Sequence, residues 1–157
     1  MDDRVARLTT PEECEQFALN VQNRTPDLAR AALRRAVELR AAAHGAVLAV
    51  EREALEAVYA YERAQSETSG RKFRATRTWQ MIERHGIIEA VERAVNRGTE
   101  TIGFTVLAQM GMRDKAFESV VLRHPDVFSP EVIRRSDERL RKWKGEATGN
   151  QQKGERI

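Results

Sequence analysis

Three times the chain sets a hydroxyl residue, a proline and an acid in a row: Thr10-Pro11-Glu12, Thr25-Pro26-Asp27 and Ser129-Pro130-Glu131. Each reads as a helix start. The hydroxyl can accept from an orphan backbone N–H, proline has no N–H to leave unpaired there, and the acid meets the positive end of the helix dipole. Behind Thr10, Glu13 can reach back to close a capping box. Stops are equally legible. Gly45, Gly70, Gly86 and Gly111 each follow an apolar stretch of helical period, and Pro125 ends another. Sustained period-2 alternation is missing, and so are Asn-Gly and Asp-Gly hairpin turns. The expected fold is all-α, an irregular bundle of about eight helices. They fall near 11–22, 26–44, 46–68, 76–85, 88–97, 100–110, 113–123 and 130–143.

The second and third helices are the longest. Leu28, Ala32, Leu39 and Ala43 stripe one, and Val47, Val50, Ala54, Val58 and Tyr61 stripe the other. Only Gly45 separates them, which predicts a long, Ala-rich antiparallel hairpin in the N-terminal half. Leu48, Leu55 and Tyr59 add a second stripe, so the third helix should have neighbours on two sides. Bulky core candidates gather later: Phe104, Val106, Leu107, Phe117, Val120–Leu122, Val127, Phe128 and Ile133, joined by Trp79, Ile82, Ile87, Ile88, Val91 and Val95. With 157 residues, the chain fits one helical domain over 1–144, with a subdomain boundary near 69–75. The polar stretch 145–157 lacks apolar periodicity and is expected to be a disordered tail.

Charge is where this sequence is most informative about partners. The net charge is +3, yet residues 71–84 alone hold five cations against one acid, a net of +4. Residues 134–144 hold six against two, another +4, so the remainder is acidic. The first segment, Ser69-Gly70-Arg71-Lys72-Phe73-Arg74-Ala75-Thr76-Arg77-Thr78-Trp79, mixes cations, hydroxyls and aromatics at the mouth of a helix. Phosphate oxygens accept from such groups and from helix N-terminal amides. Arg71, Lys72, Arg74, Arg77 and Arg84 are therefore expected to contact phosphates, helped by Thr76 and Thr78. Phe73 is placed either in the core or stacked on a base, and Trp79 is expected to pack inside. The segment 134–144 reads mainly as a solvated helix face with Asp137 and Glu138 interleaved, extending the basic surface where its cations are free.

The hairpin around Gly86 compares poorly with a helix-turn-helix. Ile82 stands where a small residue belongs, and Glu89 and Glu92 stand at apolar positions and would face phosphates. No His-Glu-x-x-His helix, phosphate-binding glycine loop or nucleophile elbow is present. His44, His85 and His124 each stand at a helix C-terminus, where imidazole meets the last carbonyls. Cys14 has no partner for a disulfide, a pattern at home in a reducing cytoplasm. The start, Met1-Asp2-Asp3-Arg4, has no apolar stretch of the signal-peptide kind, and no run approaches membrane-span length. The expectation is a small cytoplasmic protein that binds DNA or RNA, with no catalytic residues, metal or cofactor and no membrane association. The alternative is a helical protein–protein interaction module or a homodimeric regulator. A carboxylate set beside His85 or His124 in a deep pocket would instead be the first sign of an enzyme.

Overall fold

Helix caps and glycine stops divide the chain much as its punctuation suggests. The computed structural model describes residues 1–98 and 101–155, with side chains outside 101–103 and 145–155. Its elements are α1 (Asp3–Ala6), α2 (Pro11–Val21), α3 (Pro26–Ala43), α4 (Ala49–Ser69), α5 (Thr76–His85), α6 (Ile87–Arg97), α7 (Thr101–Gln109), a 3₁₀ turn (Arg113–Lys115), α8 (Phe117–Arg123) and α9 (Pro130–Glu155). The fold is all-α, with no strand among the described residues.

The capping box forms at Thr10: its hydroxyl accepts from Glu13 N–H at 3.1 Å, and Glu13 Oε2 accepts from Thr10 N–H at 3.3 Å. Ser129 Oγ likewise accepts from Val132 N–H. Thr25 behaves differently. Its hydroxyl donates back to Val21 O at 3.3 Å, so α3 starts on its proline without a side-chain cap. The stretch 113–123, expected as one helix, is broken at Ala116, whose extended backbone separates the 3₁₀ turn from α8. A four-residue helix, α1, precedes the first expected one and buries Val5. The final helix passes its expected end and runs to Glu155, while the tail expected to be disordered lies outside the residues whose side chains are described.

The core has three centres. Val5, Ala18, Leu28, Ala29 and Ala32 join α1, α2 and α3. Val37, Ala60, Ala64, Phe104, Leu107, Met112 and Trp143 join α3, α4, α7 and α9. Val50, Ala54, Val91, Val95, Val120, Val121, Phe128 and Val132 join α4, α6, α8 and α9. Helix α4 thus serves two of the three, as its two stripes imply. The alanines of α3 and α4 are largely taken up here: Ala32, Ala36, Ala41, Ala54, Ala57, Ala60 and Ala64 are all buried. The hairpin turn is longer than one glycine. Val47, expected in a core stripe, is 91% exposed, and Leu48 is exposed as the extended N-cap of α4, because the helix begins only at Ala49.

A charged clip fastens α3 to the 3₁₀ turn. Arg34 grips both oxygens of Asp114, donating from Nη1 to Oδ1 at 2.8 Å. Those guanidinium hydrogen bonds hold the Asp114 carboxyl below its usual range. A depressed carboxyl contributes stability above its unfolded-state value of about 3.9, and that stability is lost as pH falls through the folded-state value. Melting temperature should therefore drop on acidification below about pH 4. Asp114→Asn should melt lower at neutral pH and show a shallower acid decline in circular dichroism. Parallel declines in both proteins would count against the clip.

Candidate functional site

The basic segment hangs from the last turns of α4. Gly70 ends that helix at a φ of 69°, in the left-handed region that glycine enters without strain, and its N–H closes on Ser66 O at 3.0 Å. Ser66 Oγ then accepts from Phe73 N–H at 3.0 Å. One carboxylate oxygen, Glu62 Oε2, accepts from Ala75 N–H at 2.7 Å and from Trp79 Nε1–H at 2.8 Å. Ala75 is the N-cap of α5, its methyl side chain caps nothing, and Glu62 takes the N–H of the cap residue itself. The backbone is thus tied down from inside while its charged side chains point outward.

Trp79, expected to pack inside, is only half-buried and lies outside the three core centres, yet it anchors the segment. Besides Glu62 it stacks on His44 at 5.6 Å between ring centroids and tilts against Tyr59 at 5.1 Å. Arg74 lies with its guanidinium carbon 5.8 Å from the indole centroid. Phe73 resolves to the surface: 37% exposed, its ring meets Tyr61 edge to face at 5.7 Å.

Arg71, Lys72, Arg74, Arg77 and Arg84 are all exposed, and none forms an ion pair among the described residues. Arginines elsewhere are commonly claimed: Arg34 by Asp114, Arg40 by Glu15, Arg123 by Glu53. Thr76 turns its hydroxyl toward Arg74 O at 3.4 Å, and Thr78 is half-buried. Arg77 and Arg84, seven apart, share one face of α5 with Gln80 and Met81 between them.

That face borders a recess of about 370 Å³ lined by Arg77, Gln80, Met81, Arg84, His85 and Arg97. Three arginines and a histidine meet there with no carboxylate in the wall. Arg97 comes from the far end of α6 and lies 4.0 Å from Met81 Sδ. Reading charge along the sequence misses it, because the approach is made by the hairpin. Folding the chain about Gly86, with its φ of 87°, brings residue 97 level with residues 75–77, and that symmetry is the signal that could have found it.

The second basic segment contributes little free charge. Arg134 pairs with Glu138, Arg135 with Glu131, and Arg141 with Asp137. Arg135 also donates to Asn96 O at 3.2 Å, and Arg139 donates to Val95 O at 2.8 Å while its other nitrogen stands 3.8 Å from Glu118. Arg135 satisfies a carbonyl left over at the C-terminus of α6, and Arg139 adds a second donor to Val95 O, which already accepts from Gly98 N–H. They hold α9 in place and do not widen the basic surface.

A carboxylate does stand beside one of the three histidines. His124 Nε2 meets Glu53 Oε2, and Arg123 Nε donates to the other oxygen at 2.9 Å. Burial would raise the Glu53 carboxyl, but the bonds from His124 and Arg123 outweigh it and leave the group below its usual range. Glu53 is thereby kept as an ion-pair partner between α4 and the end of α8. Cys14 is buried, with its thiol pushed up by burial. Among the described residues, no group of three or more His, Cys, Asp or Glu is placed to hold a metal ion, and no helix is long and apolar enough to cross a membrane. Comparison with known proteins finds no match to any family model, curated protein or solved structure.

Proposed function

We propose that the protein binds nucleic acid through phosphate contacts made by Arg71, Lys72, Arg74, Arg77 and Arg84, with Arg97 as a sixth. One observation carries this reading: five cations within fourteen residues stand exposed without a carboxylate partner among the described residues, on a body that pairs many of its other arginines. A guanidinium left free in this way keeps its fork of donors for an outside anion, and phosphate matches that fork. The cations run from the loop behind α4 onto α5 and the end of α6, and three of them line one recess, which suits a polymer of phosphates better than one isolated ion. Contacts of this kind position a strand without reading its sequence.

The test is the salt dependence of binding, followed by fluorescence anisotropy with labelled oligonucleotides. Six phosphates neutralised predict a log–log slope near −4.2 for a single strand and near −5.4 for a duplex. A slope near zero, or no binding at low salt, would overturn the proposal.

A further inference from the structure

Next to the basic segment lies a second, larger cavity of about 570 Å³. It falls within the range of roughly 300–1,000 Å³ usual for small-ligand clefts. Its exposed lining includes Arg74, Arg77 and Arg97, and its buried lining includes Phe104, Leu107 and Trp143. Phe104 and Trp143 stack there at 4.3 Å. The wall is not wholly apolar. Gln65 lines it from α4, and Lys115 and Glu118 line it too, both almost fully buried. Lys115 is held by Glu56 at 3.0 Å and Glu38 at 3.4 Å, and Glu118 faces Arg139.

We propose that this cavity is a nucleotide pocket, taking one base among Phe104, Phe117 and Trp143 while the attached phosphate meets Arg74, Arg77 and Arg97. The inference rests on the phosphate-binding reading above and names what else that surface recognises. Three features of the cavity select this ligand. The cationic edge asks for an anion. The aromatic interior asks for a flat or apolar body. The half-buried Gln65 amide disfavours a plain alkyl chain, which would strip water from it and return no hydrogen bond. A nucleobase meets all three demands, since its faces are apolar and its edge carries donors and acceptors. Arg77 and Arg97 border both cavities, so a strand running along the α5–α6 recess would pass the mouth of the pocket. The base can arrive on such a strand or as a free mononucleotide.

The test compares a mixed-sequence single-stranded decamer with an abasic decamer of equal phosphate count, in anisotropy titrations with the full chain. The four nucleoside monophosphates and inorganic phosphate are titrated separately against tryptophan fluorescence. Two plugs narrow the cavity from its half-exposed rim, Ala94→Phe on α6 and Gln65→Phe on α4, with folding checked by circular dichroism. The base-bearing decamer should bind about tenfold more tightly than the abasic one. Either plug should close that gap and leave abasic binding unchanged. A monophosphate that quenches tryptophan where phosphate does not, with no decamer binding, assigns the pocket to free nucleotide and removes the polymer reading. Equal affinity for the two decamers, with no response to monophosphates, removes the pocket and leaves the phosphate reading standing. No binding of any probe removes both.

Discussion

Replacing Arg71, Arg74 and Arg77 together with glutamate should lower affinity for a single-stranded or duplex oligonucleotide by at least about a hundredfold. The magnitude follows from elementary electrostatics. Two unit charges 4 Å apart in water attract by about 1 kcal/mol, so losing three such contacts alone costs about 3 kcal/mol, and the new carboxylates add repulsion. None of the three side chains has an ion-pair partner among the described residues, and all are exposed, so the fold should survive. The backbone ties to Ser66 and Glu62 use main-chain N–H groups and the Trp79 indole, which the substitutions leave in place. Circular dichroism should therefore match the parent. A second triple variant separates local charge from net charge. Arg7, Arg24 and Arg52 are also exposed and lie away from the segment, and changing them to glutamate alters the total charge equally. If binding tracks position, this control loses far less affinity. Equal losses in the two variants would show that only overall charge matters. Undiminished binding by the folded Arg71/Arg74/Arg77 variant would remove the proposed interface.

The helical architecture was legible because its punctuation is local. Thr10 with Glu13, Gly70 and Gly86 act within one turn of where they stand, so their chemistry can be read without knowing the neighbours. What sequence missed is tertiary. Val47 fits a helical stripe by spacing, yet α4 starts two residues later and leaves it in solvent. Trp143 stands on a charged helix whose spacing gives no sign of the core, although it is one of the larger buried side chains, stacked on Phe104. The two basic segments looked equal at +4 each and separated only in three dimensions. Arg135 and Arg139 found carbonyls at the end of α6, whereas Arg71 to Arg84 found no carboxylate among the described residues. Composition can count charges along a window. Whether a charge is already engaged depends on which helix end arrives beside it.

Lys115→Met should destabilise the protein by about 3–5 kcal/mol, because it removes the cation from a buried network and leaves the carboxylates behind. For a chain of this length that corresponds to a fall in melting temperature of roughly 10 °C. Lys115 is 3% exposed, and its ammonium lies 3.0 Å from Glu56 Oε2 and 3.4 Å from Glu38 Oε1. It so joins α3, α4 and the 3₁₀ turn at one point. The side chain of Glu56 is only 16% exposed, so water can compensate little of its charge once the lysine is gone. Glu38 is better placed, since Arg34 stands 3.3 Å from it on the next turn of α3. The burden of the substitution therefore falls on Glu56. The double variant Lys115→Met with Glu56→Leu should recover most of the loss, since replacing a buried ion pair by apolar groups of similar size is often neutral. Glu38→Gln on the Lys115→Met background should recover much less. A thermodynamic cycle over Lys115 and Glu56, measured by urea denaturation, reads the coupling directly. Additive effects at the two positions would mean that methionine fails at Lys115 through packing, with charge playing no part.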